Sequence, residues 1–185
     1  MRKLIITLSL SLMALSAFAQ RTVSGTSVIE ICGGLSLLDE PGTSVSASVA
    51  YGQYTIDGIW TAGVDFLNRI RETDLETEYD VTHITADFTR QWRIAATWNR
   101  ILNLYAGVGA QLGVELLDPR SMLSAGERIE GSSALFLYGI NGVISAEAYM
   151  MPYFSLYATA KPILMGGSRL GYYCMTASIG LRFSF

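Results

Sequence analysis

The chain has 185 residues, 50% of them hydrophobic and 16% charged, with 13 basic and 16 acidic side chains. That length holds one domain or one small barrel, and the acidic balance, with no basic stripe, excludes an electrostatic footprint for nucleic acid. So little charge at this hydropathy is unusual for a soluble protein, yet nothing beyond the N-terminus is apolar for long enough to make a membrane helix.

Met1-Arg2-Lys3 is a short basic region, Leu4 to Leu15 an apolar stretch, and Ala17-Phe18-Ala19 a small-x-small cleavage site before Gln20. This is the pattern of a secretory signal peptide over residues 1–19, and its apolar run falls short of the ~20 residues that cross a bilayer. The expectation is an exported bacterial chain with residues 20–185 as a single domain. No cysteine follows the cleavage site, which argues against a lipid anchor. Taking Arg2 and Lys3 from the 13 basic residues leaves two fewer against 16 acidic ones, a net charge of about −5, with Lys161 the sole remaining lysine.

The rest reads as strand after strand, because apolar residues recur at every second position between turn signals. Val28 to Leu38 comes first, then a turn at Asp39-Glu40-Pro41-Gly42, and Thr43 to Tyr51. A tight turn near Gly52-Gln53 leads to Thr55–Leu67, and Asn68 to Asp80 reads as a charge-rich loop. The fourth strand runs from about Val81 to Thr97, with a turn at Trp98-Asn99-Arg100, and Leu104 to Leu116 is the fifth. A long loop over Asp118–Ser132 precedes Ser133–Met150, Met151-Pro152 turns into Tyr153–Leu164, and Gly166-Gly167-Ser168 leads to the last strand. That strand alternates Tyr173, Met175, Ala177, Ile179, Leu181, Phe183 and Phe185 against Cys174, Thr176, Ser178, Gly180, Arg182 and Ser184.

Eight strands with alternating short turns and longer loops predict an all-β fold, an eight-stranded antiparallel up-and-down transmembrane β-barrel of the outer-membrane type. A soluble lipocalin-like barrel shows the same alternation turned inside out. The membrane form is favoured by the scarce lysine, the small polar-face residues such as Gly107, Gly109 and Gly113, and the ending. Ser178, Gly180, Phe183 and Phe185 resemble the terminal signature read by the assembly machinery of outer-membrane barrels.

With the apolar face toward lipid, the interior receives Glu30, Asp57, Asp65, Asp87, Glu115 and Glu147 together with Lys161 and Arg182. Eight strands leave only enough room for side chains to fill, so these ions must pair. The expectation is a plug of ion pairs centred on Lys161 and Arg182 rather than a conducting lumen. Arg90 shares the parity of Phe88 and Trp92, which aims it at lipid; either it lies at the periplasmic rim or a bulge resets the parity. Tyr51, Trp60, Phe66, Trp92, Trp98, Tyr149 and Tyr153 lie near strand ends and are expected to form interfacial girdles.

Chemistry is sparse. Cys32 and Cys174 fall on neighbouring antiparallel strands at different heights, against a disulfide, whose Cα atoms must come within ~7 Å. His83, on the same face as Asp87, could be imagined in a triad, but a polar residue at the barrel mouth is the expected reading. No second histidine or cysteine pair offers a metal site, and Arg71 to Glu78 is an acidic loop without EF-hand spacing. No cofactor, small-molecule substrate or catalytic residue is expected.

The chain also resembles the TraO family of conjugal transfer proteins from conjugative transposons of Bacteroides and relatives. The resemblance is carried by Val28-Ile-Glu-Ile-Cys-Gly-Gly-Leu35, Gly52-Gln-Tyr54, Leu104-Tyr-Ala-Gly-Val-Gly-Ala-Gln-Leu-Gly-Val-Glu115, Phe136-Leu-Tyr-Gly139, Ala146-Glu-Ala-Tyr149 and Gly180-Leu-Arg-Phe-Ser-Phe185. It implies a non-enzymatic component of a conjugation apparatus at the bacterial outer membrane, partnered by lipid and other transfer proteins and not by DNA. A general adhesion or envelope-integrity barrel is the alternative, and gene neighbourhood discriminates the two. An outer-membrane enzyme, the third reading, predicts loss of a lipid or peptide modification on His83→Ala.

Overall fold

A computed structural model describes residues 24–37, 44–72, 78–97, 101–117, 134–168 and 171–185. The signal-peptide segment and the loops expected at Asp39–Gly42, Trp98–Arg100 and Asp118–Ser132 lie outside them. Eight antiparallel strands, each paired with its sequence neighbours, close into a barrel. They are β1 (Ser27–Ser36), β2 (Val45–Tyr54), β3 (Gly58–Glu72), β4 (Glu78–Ala96), β5 (Leu102–Leu117), β6 (Ala134–Met151), β7 (Phe154–Gly166) and β8 (Tyr173–Ser184). Closure comes from β1 against β8, where Glu30 sits opposite Arg182 and Cys32 opposite Gly180.

The wall is turned inside out relative to a soluble protein. Val49, Val108, Ile140 and Ile179 are 56–64% exposed, whereas Glu147 and Arg182 are fully buried. Such a surface is stable only against hydrocarbon, so this is a transmembrane barrel of the outer-membrane type, as the alternation predicts. The start of β1 and the end of β8 share the end with the short turns, the periplasmic end in such barrels. An apolar cluster of Val28, Tyr54, Ile59, Tyr105 and Tyr149 fills the lumen there, and Leu67, Ile163, Met165 and Cys174 pack together toward the other end.

Three local expectations are corrected. Asn68–Asp80 is not one loop: β3 and β4 continue pairing outward through Arg69↔Val81 to Glu72↔Glu78. Strands that project past the bilayer lose their apolar face, so composition there imitates a loop. Gly52 does not turn the chain either. It faces Val28 and Thr61 inside the wall, where an added Cβ would come within 2.6 Å of the Trp60 carbonyl oxygen. This glycine marks a close backbone approach, and the turn falls later, at Thr55–Asp57, closed by Thr55 N–H donating to the Gly58 carbonyl at 2.8 Å. Tyr149, expected in a girdle, points into the lumen at 6% exposure, because it shares the inward parity of Glu147.

Tyr51, Trp60, Phe66, Trp92 and Tyr153 do face outward, with Tyr51 and Trp60 rings 5.8 Å apart and Trp60 stacked on Phe88 at 6.3 Å. Trp98 lies outside the described residues. Phe136 and Tyr138 stack at 6.3 Å near the outer end.

Candidate functional site

The inward side chains form layers, and among the described residues the acids, Lys161 and Arg182 expected in the lumen occupy three of them, Asp57 excepted. Lowest, above the periplasmic apolar cluster, Arg182 Nε lies 2.7 Å from Glu30 Oε1 and its Nη1 3.0 Å from Glu147 Oε2. Glu147 also accepts hydrogen bonds from the Tyr54 hydroxyl and, at 2.6 Å, from Ser155. The Arg182 guanidinium sits 4.5 Å from the Tyr157 ring centroid and 5.9 Å from that of Tyr105. Register alone brings much of this together, since Arg182 faces Glu30 on one neighbour strand and Ser155 on the other.

Higher up, Lys161 of β7 reaches across the lumen to Asp65 of β3 and, at 3.1 Å, to Asp87 of β4. Asp87 also accepts from Thr89 at 2.7 Å and from the Asn141 amide. A cavity of ≈ 90 Å³ lies in this part of the lumen, lined by Glu30, Cys32, Asp65, Asp87, Lys161 and Arg182 among others. At ~10–15 Å³ of such volume per water, it has room for about six to nine.

Near the outer mouth, His83 Nε2 lies 3.1 Å from Glu115 Oε2, and the Ser168 hydroxyl donates to the same oxygen at 2.7 Å. Here the acid is central: the serine meets the carboxylate, not the imidazole, so the serine–histidine–acid order of a hydrolase is not assembled. The partner of His83 is Glu115 rather than Asp87, which Lys161 takes instead.

Asp57 is the one charge in the expected network that the structure places outside the lumen. It occupies the β2–β3 turn, its side chain 59% exposed, and pairs with Arg90. Arg90 also donates to Thr55 at 2.8 Å and lies 5.8 Å from the Trp92 ring. This settles the two readings of Arg90 in favour of the rim: the β4–β5 register shifts only at Arg93/Ala95, beyond it. The Thr55 hydroxyl and then the Arg90 guanidinium hold the Asp57 carboxyl below its ordinary value.

Sequence reasoning missed Tyr54, Ser155, Asn141 and Ser168, polar partners that neutral composition does not flag, although the parity of Ser155 and Asn141 was readable; Tyr54 was hidden by the turn expected at Gly52. Arg69, buried at 5%, was hidden by the loop reading. Cys32 and Cys174 are free thiols. Cys32 stands opposite Gly180 in the β1–β8 register, and Cys174 lies six positions away along β8, at a different height.

In the terminal strand, Ser178 and Gly180 face inward and Phe183 outward, its ring 5.4 Å from that of Phe154. Phe185 is 70% exposed at the rim. Gly180 lies under the Tyr157 ring: a Cβ there would come within 2.8 Å of that ring and 2.5 Å of the Ile31 carbonyl. Among the described residues, no group of three or more His, Cys, Asp or Glu is arranged to hold a metal ion.

Solved barrels share this architecture. Neisserial surface protein A is 17% identical, covering 88% of this chain and 98% of that one, with a TM-score of 0.57. Ail, the attachment invasion locus protein of Yersinia pestis, solved with the heparin analogue sucrose octasulfate, is 18% identical over 88% of this chain and 100% of that one, with a TM-score of 0.53. The N-terminal barrel of Pseudomonas aeruginosa OprF is 13% identical over 88% and 98%, with a TM-score of 0.50. At such identities the likeness speaks for the fold alone. No curated relative matches the chain. The family described as conjugative transposon protein TraO does, over residues 23–185, which takes in every strand from β1 to β8. Family and fold thus agree along the same stretch, and the chain belongs to the TraO family of conjugative transposon proteins.

Proposed function

We propose that this protein is a non-enzymatic outer-membrane component of a conjugative transposon's transfer apparatus, an anchor that docks other transfer proteins through its loops or periplasmic rim. Family membership supports the setting, and the apolar wall supports residence in the outer membrane after export. The observation that carries the anchoring role is the filled lumen. Apolar side chains pack its periplasmic end and ion pairs tie its middle, which fits a plug rather than a pore. Such a barrel acts through its ends. At the periplasmic end the β2–β3 turn offers Ile56, 84% exposed, beside the Asp57–Arg90 pair. The acidic balance fits a protein that serves DNA transfer without holding DNA.

An in-frame deletion in the donor, complemented in trans, tests this reading by transfer frequency. The expected result is a fall of several orders of magnitude, restored by the complementing copy. Unchanged transfer in the deletion would overturn it, and a loss of surface attachment with transfer intact would point to the adhesion reading instead.

A further inference from the structure

One seam of the wall is interrupted at mid-height. Between β6 and β7, pairing runs through Asn141↔Ile163, omits Gly142/Pro162 and Val143/Lys161, and resumes in the same register at Ile144↔Ala160. Elsewhere the described ladders break only at Arg93/Ala95 and Tyr149/Met151, both near the periplasmic rim. Pro162 is the cause. A proline has no N–H to donate, and the two omitted pairs are those that need a donor at position 162 to reach the Gly142 carbonyl. Proline is normally kept to edge strands or bulges, yet a closed barrel has no edge. Opposite it stands Gly142, and the Pro162 ring lies over it: a Cβ added there would sit 3.3 Å from the ring, so the wall at this point is closed by ring against backbone rather than by a hydrogen bond from residue 162.

Two further facts bear on the same place. Val143 and Lys161, the inward residues of the gap, both line the lumen cavity. The Lys161 ammonium crosses the lumen to Asp65 and Asp87, so it ties β7 at this height to β3 and β4 on the other side of the barrel.

We propose that the wall parts locally at this seam, opening a lateral slit between Gly142-Val143 and Lys161-Pro162 that joins the lumen cavity to the bilayer, and that the Lys161 ion pairs bolt it shut. The lost backbone bond lowers the cost of separating β6 from β7 here. The cross-lumen pairs oppose it by drawing β7 inward. The device needs the barrel and not the conjugation reading, so failure of either leaves the other standing.

Amide exchange of the refolded chain in detergent micelles, followed residue by residue by NMR, tests this with an internal control. Alternate N–H groups of β6 serve opposite seams, and the Tyr149 N–H reaches Ile101 on the β5 side. Asn141 and Val143 therefore donate toward β5, whereas Gly142 and Ile144 donate toward β7. Gly142 and Ile144 are expected to exchange about tenfold faster than their two neighbours at the same depth. Pro162→Val, which restores the donor on a lipid-facing position, should erase the difference. Lys161→Met combined with Asp65→Asn and Asp87→Asn, which removes the bolt without stranding a charge, should widen it. Equal rates in the unaltered protein, or a difference that survives Pro162→Val, would overturn the slit. A difference unmoved by the triple variant would overturn the bolt.

Discussion

The Arg182 and Lys161 layers are built on one plan, a cation from the β7–β8 side held by two carboxylates, but they sit in different surroundings. Arg182 is the more deeply enclosed: its side chain is 1% exposed, those of Glu30 and Glu147 8% and 0%, and aromatic rings flank it. Both layers line the lumen cavity, but Lys161 is 12% and Asp65 27% exposed, so water reaches the second layer more readily. A buried ion pair is stabilising only while both partners and their hydrogen bonds are present. The same charge arrangement is therefore the more rigid where its side chains are nearly inaccessible and the more yielding where water reaches a carboxylate.

Removing each cation separates the two cases. Arg182→Met leaves two carboxylates, 8% and 0% exposed, without the cation between them and is expected to cost about 3–5 kcal/mol. The measurement is urea unfolding of the refolded barrel in detergent, followed by tryptophan fluorescence. Lys161→Met leaves Asp65 and Asp87 next to a cavity that admits water, and the expected loss is about 1–3 kcal/mol. Equal losses would break the comparison. The triple variant Glu30→Gln, Glu147→Gln and Arg182→Met sharpens it, since without stranded charge most of the Arg182 penalty should disappear. Gly180→Val probes the floor beneath Tyr157. Its side chain must displace that ring and crowd the Ile31 carbonyl, so a loss of about 1–3 kcal/mol is expected in the same assay.

How far these layers could be read in advance depended on which physical constraint wrote the sequence. Where the wall meets lipid the constraint is strict, one face apolar at every second residue, and the strand count, the inward parity of Arg182 and Lys161 and the outward parity of Phe183 followed from it. Which acid meets which cation was not legible. Pairing across the lumen depends on the shear between distant strands, so Lys161 took Asp65 and Asp87 for reasons alternation does not carry, whereas His83 met Glu115 through the register of the adjacent β4 and β5. Tyr149 was misplaced because nearness to a turn was weighed above parity with Glu147. Asp57 had the right parity but lies in the turn, one residue before its strand begins, and was assigned to the strand because Gly52 was read as bending the chain. Past the membrane, where Arg69 and Val81 still pair, the lipid constraint lapses and strand and loop look alike.

The Asp57–Arg90 pair carries the smallest expected effect, as the exposed counterpart of the two lumen layers. Exposed ion pairs contribute little, since water and salt screen them and holding two side chains in one geometry costs entropy. The Thr55 hydroxyl, then Arg90, lower the Asp57 carboxyl from its ordinary value of 3.8, so its proton affinity is weaker in the folded barrel than in the unfolded chain. Whatever stability this provides is present above the unfolded pKa and is lost as pH falls through the lower folded one. Asp57→Asn should therefore leave the unfolding midpoint at pH 7 almost unchanged. NMR titration of the Asp57 side-chain carboxyl should give a midpoint below 3.8 that moves upward in Arg90→Gln. A midpoint at or above 3.8, indifferent to residue 90, would mean that the rim contact does not persist in solution, and that only the enclosed layers hold their charges in fixed company.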